Sequence, residues 1–397
     1  MISKQQEKIK TILPGATIGV LGGGQLGRML ANAGSELGYR FVTLDPTPNG
    51  PMGQVAEQIV AAYSDAEAAR KLAQQADVIT YEFENVSSEV AGMLMQEAYV
   101  PQGNQLLHTT QHRLREKRAI EAAGVQVAPY REITSVEELR QAVEQFGTPC
   151  VLKTATGGYD GKGQWVIRSL DEVEEAFSTL SKAKTELVLE QFIHFSKEIS
   201  VIAARSPRGE VKVFPAAENI HVSNILHLSI VPARISDVLR AEAEQLALKI
   251  AEGLQAVGLI AVEMFVTDDE QLYVNELAPR PHNSGHYTME ACLTSQFEQH
   301  VRAVCNLPLG DPSLTTPVVM VNVLGQHVEP LLDRMATEDE LAKELHVTAK
   351  VHLYGKAEAA HNRKMGHVNV LASSIEQAMA WIERTGIWKD EWSSWNK

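Results

Sequence analysis

Two acidic residues and the run that follows them carry the most chemistry in this chain: Glu263, and then Asn275-Glu276-Leu277-Ala278-Pro279-Arg280-Pro281-His282-Asn283-Ser284-Gly285-His286. Residues 259–266 and 271–275 have the apolar character of short strands, joined by the polar run Thr267, Asp268, Asp269, Glu270. A tight turn centred between Asp269 and Glu270 puts Glu263 directly opposite Glu276. Like charges facing each other across a strand pair destabilise a sheet. A divalent cation reverses that sign, and magnesium needs only one or two carboxylates plus phosphate oxygens. An acidic hairpin turned to water is the alternative. Against it, both carboxylates sit inside apolar strands, and a dense polar loop follows at once.

A second constellation precedes the first. Lys153-Thr154-Ala155-Thr156-Gly157-Gly158-Tyr159-Asp160-Gly161-Lys162-Gly163-Gln164 lies between two strand-like segments, 150–154 and 164–167. It is not a P-loop, because Gly163 stands where Ser or Thr should follow Gly161-Lys162 and Thr156 occupies the first glycine position. A glycine-rich strand-loop-strand makes instead a lid whose backbone N–H groups close over phosphates. Lys153, on the entering strand, can reach phosphate oxygens as a point charge. An ordinary glycine hairpin with a solvated Lys162 is equally compatible with the motif alone; the acidic hairpin downstream favours phosphate. A third cluster, His352-Leu353-Tyr354-Gly355-Lys356-Ala357-Glu358 with Asn362-Arg363-Lys364-Met365-Gly366-His367, gathers cations in an acidic protein. Solvated turns are the common fate of such residues, but strand-like flanks would fix these as an anion site.

The elements that must position these groups fall into three zones. Segments 16–21, 40–44, 59–62 and 78–81 read as strands, with helices over 25–37 and 65–75, which predicts a parallel sheet wound on both faces. Gly22-Gly23-Gly24-Gln25-Leu26-Gly27, with Asp45 ending the next strand, satisfies the dinucleotide fingerprint in its required context. Tight strand-to-helix turns need glycines for packing too, and the rest of the chain offers no dehydrogenase chemistry. A charged helix over 111–123 leads into a mixed region. There, capping boxes at Ser135/Glu138 and Ser169/Glu172 open two helices, and strands occupy 187–191, 198–204 and 211–214. A long helix over 237–256 precedes the acidic hairpin. After Pro308 and Pro312 the chain is β-rich (318–324, 350–353, 366–371) and ends in a helix near Trp381. The expected domains are 1–110, 111–307 (lid about 125–190) and 308–397.

At 397 residues with 44% hydrophobic and 22% charged content, the composition is that of a soluble protein of about two to three domains. A formal charge of −14 argues against a nucleic-acid or membrane-surface partner. Cys150, Cys292 and Cys305 have no metal-ligand or disulfide spacing. With no apolar run of membrane-spanning length and no signal-peptide centre in 1–13, a cytoplasmic protein is expected.

Lysine on a strand, a glycine lid, then Glu…Asn-Glu on a hairpin resembles the ATP-grasp superfamily, whose N-terminal domain accounts for a Rossmann-like turn without NAD. Tyr81-Glu82-Phe83-Glu84-Asn85-Val86, residues 158–164, residues 275–286 and Tyr354-Gly355-Lys356…Gly366-His367 are together similar to the 5-(carboxyamino)imidazole ribonucleotide synthetases within it. The likeness runs from about Ala16 to the C-terminal helix; residues 1–15 and His112 depart from the pattern. It implies an α/β and α+β chain with a Rossmann-like N-terminal domain, an ATP-grasp domain and a small β-rich C-terminal domain. It also implies an ATP-dependent ligase of purine biosynthesis that joins bicarbonate to 5-aminoimidazole ribonucleotide through carboxyphosphate. By that resemblance Arg113 and Lys153 bind phosphates, and Gly158, Tyr159, Asp160, Gly161, Lys162, Gly163 and Gln164 form the lid. Glu190, Gln191, Phe192 and Ile193 hold adenine, Glu198 takes the ribose, and His221 lies near the nucleotide. Glu263 and Glu276 bind magnesium (or manganese), assisted by Asn275. Gly24, Gln25, Glu82, Tyr159, Arg280, His282, Lys356, Arg363 and Lys364 surround the second substrate, with Asp160, Arg280, His282 and Lys356 catalytic. Neither NAD nor biotin is expected, and the assembly implied is a homodimer. The rival readings are a formate-using glycinamide ribonucleotide transformylase, an NAD-dependent dehydrogenase resting on Gly22 to Gly27 and Asp45, and a nucleotide-binding regulator without turnover.

Overall fold

The computed structural model describes residues 9–157, 162–337 and 339–395. Near the N-terminus, four parallel strands stand in the order Glu57–Ile59, Arg40–Leu44, Thr17–Leu21, Val78–Tyr81. The first of these is displaced from the expected 59–62. Only Glu57, Gln58 and Ile59 find partners on the neighbouring strand, so the edge strand stops where the apolar run begins. Helices Gln25–Glu36 and Ala66–Gln75 cover the sheet, the latter capped by Asp65, whose carboxylate accepts from Glu67 and Ala68 N–H.

The region expected to form the lid is a four-stranded antiparallel sheet, Tyr130–Ile133, Leu187–Gln191, Cys150–Thr154 and Gln164–Ile167. Ser135 caps helix Val136–Phe146 through Glu138 N–H, as its spacing requires. The box expected at Ser169 forms only in part. Glu172 reaches back to Arg168 N–H, but Ser169 makes no side-chain cap bond because the chain enters a 3-10 turn, Leu170–Glu172, before helix Val173–Leu180.

A nine-stranded antiparallel sheet joins the rest. Its order is Leu272–Ala278, Gly258–Val266, Lys197–Arg205, Ala217–Val222, Ile225–Val231, Val318–Leu324, Lys364–Leu371, Thr348–Leu353, with Val211–Val213 beside Lys197–Arg205. The C-terminal strands therefore extend the central sheet: Leu228 pairs with Val321 and Val231 with Val318. The hairpin of Ala217–Val222 and Ile225–Val231 is absent from the sequence expectations. Its two-residue loop is Ser223-Asn224, both at positive φ (50° and 62°), which lacks the glycine that marks such turns most clearly. Helix Asp237–Gly253 packs its buried face (Leu239, Ala243, Ala247, Ile250) on Ile199, Val201, Ile260, Val262 and Met264 of this sheet. The opposite sheet face carries the site.

Candidate active site

Four adjacent strands line up polar groups on that face. Glu276, Glu263, Ser200 and Ala217 stand opposite one another in one row, and Phe265, Glu198 and Asn219 in the next. The facing of Glu263 and Glu276 is the pairing expected, reached by a different route. The hairpin loop is centred on Asp269, with Thr267 N–H bonded to Gln271 O and Glu270 in the left-handed region at φ 60°. That register pairs Met264 with Val274 and by itself would set Glu263 against Asn275. A β-bulge then inserts Asn275 as an extra residue and brings Glu276 opposite Glu263. The bulge also turns Asn275 and Glu276 toward the same side, between Val274 and Leu277 in the core.

The two carboxylates are shifted in opposite directions. Burial and the Glu263 charge raise Glu276 above the ordinary carboxylate range. Burial would raise Glu263 as well, but His282 at 3.0 Å outweighs it and holds Glu263 low. Glu276 faces Arg113 at 3.5 Å. Two facing carboxylates in partial repulsion, with Asn275 beside them, fit a hard divalent cation completed by phosphate oxygens.

Helix Arg113–Ala122 links this hairpin to the lid. Arg113, Glu116 and Lys117 share one face at helical spacing. Glu116 accepts the Leu277 N–H at 2.9 Å, just past the bulge, and burial with the nearby Glu276 pushes its carboxyl up to about 8. Lys117 and Lys153 both bind Glu190, at 3.3 and 3.0 Å. Burial would raise Glu190, but Lys153, Lys117 and Arg113 hold it at about 2. The Glu190 side chain is thus a buried anchor for Lys153. Gln191 ends the strand with its N–H on Pro129 O, and Phe192 and Ile193 leave the sheet beyond it. Glu198 meets His221 at 3.2 Å; burial opposes protonation of His221, but Glu198 prevails and raises it.

The 280–286 loop closes the other side. His282 Nε2 faces Glu263, while its Nδ1 lies 2.8 Å from Ser284 Oγ. A buried chain runs on from Ser284 to Ser200 (2.7 Å), Asn219 (2.8 Å) and Ser229 (2.8 Å). Arg280 pairs bidentately with Glu84, through Nε and through Nη2 at 3.1 Å. One edge of its fork is thus taken by protein.

The glycine turn is also engaged. Glu82 accepts from Gly24 and Gly27 N–H, both at 3.1 Å, and Asp45 accepts from Gly23 N–H at 2.8 Å. Gly22, at φ 110°, has no room for a Cβ, which would lie 2.6 Å from Glu82. The amides that a dinucleotide pyrophosphate would bind therefore already hold carboxylates. Gly24 is committed in this way, and Gln25 is the first residue of the helix that follows. The C-terminal loop docks here. Tyr354 is buried in the N-terminal core with its hydroxyl 3.0 Å from His367, and Gly355 O accepts from Gln54 at 2.8 Å. Lys356 Nζ, 2.7 Å from Lys364 O, feels the Glu82 carboxylate. Burial, with Arg363 and Lys364 nearby, depresses it to about 8. Arg363 is exposed and donates to Glu358 O at 3.0 Å.

Residues 15–111 match the ribonucleotide synthetase preATP-grasp domain, 118–297 the ATP-grasp domain, and 318–380 the phosphoribosylaminoimidazole carboxylase C-terminal domain. An N5-carboxyaminoimidazole ribonucleotide synthase of Bacillus subtilis is 50% identical over 374 residues, covering 94% of this chain and 95% of the relative. The chain belongs to the N5-carboxyaminoimidazole ribonucleotide synthase family. A crystal structure of such a synthetase with ADP superposes at TM-score 0.91, with 53% identity over 96% of this chain and 99% of the other. The Aspergillus clavatus enzyme in complex with ADP and 5-aminoimidazole ribonucleotide gives TM-score 0.85 at 32% identity, covering 93% and 97%. The fold is accordingly ATP-grasp with its preATP-grasp and C-terminal partners, and the protein is an ATP-dependent ligase.

The structure brings Arg113, Lys153, Glu190, Glu198, His221, Glu263, Asn275, Glu276, Arg280 and His282 together through paired strands and ion pairs, with Glu82, Lys356 and Lys364 toward the N-terminal sheet. Gly163 and Gln164 stand at the lid strand's start, next to Lys162. Gly158, Tyr159, Asp160 and Gly161 lie outside the described residues. Sequence reasoning missed Glu84, Glu116, Lys117 and the serine–asparagine chain. Helical spacing from Arg113 signals two of them; Glu84 lies past the strand that ends at Tyr81, where no local periodicity marks it.

Proposed function

We propose that the chain carboxylates 5-aminoimidazole ribonucleotide in purine biosynthesis, using ATP and bicarbonate. Bicarbonate oxygen attacks the γ-phosphorus, ADP leaves, and carboxyphosphate forms. The exocyclic amine of the ribonucleotide then attacks the carboxyl carbon, phosphate departs, and the amine loses a proton. The observation that carries this proposal is the split allegiance of the facing carboxylates: Glu276 turns to Arg113 on the nucleotide side, Glu263 to His282 on the anion side. A phosphoryl group held between them sits where nucleotide and bicarbonate meet. Magnesium on Glu263, Glu276 and Asn275 would supply charge neutralisation for phosphoryl transfer, a reaction that asks a protein mainly for positioning and electrostatics.

In this scheme Lys153, pinned by Glu190, holds nucleotide phosphates. Glu198 takes the ribose, and Phe192 and Ile193 offer free backbone groups to adenine. Arg280 and His282 position carboxyphosphate under the lid, which keeps water away. Lys356, Lys364 and Gln25 face the anionic ribonucleotide. The enzyme is proposed as a cytoplasmic homodimer; among the described residues no helix is long and apolar enough to cross a membrane.

The test is ATP consumption with each substrate omitted in turn. ADP release should require both aminoimidazole ribonucleotide and bicarbonate, with one carboxylated product per ADP; formate supporting turnover in place of bicarbonate would overturn the assignment.

Lys356 gives the reaction a pH signature. Its pKa is depressed to about 8 in the fold, so the ammonium is lost as pH rises through that value. kcat/KM for the ribonucleotide should fall on that alkaline limb, since this parameter reports groups of the free enzyme. Lys356→Arg, permanently charged, should flatten the limb whatever its absolute rate. An unchanged limb in the variant would remove Lys356 from the site.

A further inference from the structure

Glu84 touches none of the nucleotide-side groups, yet it is held as firmly as they are. Gln111 Nε2 donates to Glu84 O at 2.7 Å and to Val86 O at 2.8 Å, immediately before the helix that carries Arg113. Two residues back, Glu82 is fixed on the amides of the glycine turn. From this braced segment the Glu84 carboxylate takes Nε–H and one Nη2–H of Arg280, and Pro281 O takes one Nη1–H at 3.1 Å. A guanidinium has five N–H donors in a rigid plane. Among the described residues, one hydrogen on each terminal nitrogen is left without a protein partner. Guanidinium donors of this kind suit a carboxylate or phosphate oxygen. His282, two residues on, is likewise fixed from behind by Ser284 and Ser200.

We propose that Glu84 is a positioning residue that aims the free edge of Arg280 at carboxyphosphate, so that the N-terminal domain governs capture of bicarbonate in the neighbouring domain. The proposal rests on the carboxylation reading and deepens it. Glu84 works through Arg280 and makes no contact with substrate itself. With Arg280 untethered, its long side chain samples other rotamers, and the intermediate forms poorly or escapes to water.

The variants are Glu84→Gln, which keeps size but removes one acceptor and the charge, and Glu84→Asp, which keeps both acceptors. Glu84→Gln should raise KM for bicarbonate and lower carboxylated product per ADP, together by on the order of 100-fold. Its Mg-ATP dissociation constant should stay within about twofold of wild type. Glu84→Asp should recover part of the coupling. In an Arg280→Ala background Glu84→Ala should add nothing further, because both act through one group. Calorimetric binding of phosphonoformate, which presents a carboxylate and a phosphonate edge, to the Mg-ADP complex should weaken in parallel. A wild-type bicarbonate KM and coupling in Glu84→Gln would overturn the proposal. So would full additivity with Arg280→Ala, or loss of Mg-ATP affinity alongside bicarbonate. Failure of the carboxylation reading itself would show in the wild type, as absence of product from bicarbonate. The phosphonoformate titration would then still decide whether Glu84 governs anion binding at Arg280.

Discussion

Glu276→Gln is expected to lower turnover on the order of 100- to 1,000-fold, the scale of losing one preorganised charge contact at a developing phosphoryl anion, while the metal-free protein stays folded and as stable as wild type or slightly more so. Glu276 faces Glu263 across the strand pair, and burial with that neighbour raises its carboxyl. A group whose folded pKa lies above its unfolded value is a source of instability once both states are ionised. The amide removes that repulsion at neutral pH, and any gain should vanish in acid, below the ordinary carboxylate range, where Glu276 is protonated in both states. Arg113 loses a partner at 3.5 Å but keeps the charge of Glu190 nearby. Thermal melts with and without Mg-ATP check this. Wild type at about 100 times its dissociation constant should gain roughly 2.7 kcal/mol, and the variant little. Wild-type turnover at limiting magnesium would show that the bulged hairpin is not the metal site.

The second large effect is at Arg280. Arg280→Ala should leave ATP affinity near wild type while carboxylated product per ATP consumed falls on the order of 100-fold, because the group proposed to position the intermediate is gone. The contacts proposed for the nucleotide side, Lys153 to Glu190 and Arg113 to Glu276, do not involve it. Glu84 loses its partner at the same time, so the variant should also melt earlier, by roughly 1–3 kcal/mol for a part-buried acceptor left unmet. Lys356→Ala should uncouple in the same sense from the ribonucleotide side. Isothermal ATP titration beside a product-to-ADP ratio measures both quantities. A collapse of ATP affinity with the remaining turnover fully coupled would move Arg280 into the nucleotide site.

Much of this architecture is legible in the sequence. Strand and helix patterns before residue 110 announced a parallel sheet, because apolar periodicity is a local property. The acidic hairpin, the glycine lid with Lys153, and the Arg280–His282 loop stood out because each concentrates unusual chemistry in a few consecutive residues. Ala217–Val222 was missed for the converse reason. Its buried Glu218 and Asn219 break strand patterning, being satisfied by Lys197, Arg234, Ser200 and Ser229 from other parts of the chain.

By its sequence alone the chain determined which residues could do chemistry and the order of its domains. The tertiary structure decided how those residues face one another. The bulge at Asn275 corrected a turn that local reasoning had centred half a residue away, and only pairing across strands reveals such an insertion. Glu82 on the glycine turn, Glu84 on Arg280, and Lys117 with Lys153 on Glu190 join positions far apart in the chain. Buried charges are stable only where their partners meet them, and that meeting is a property of the folded chain.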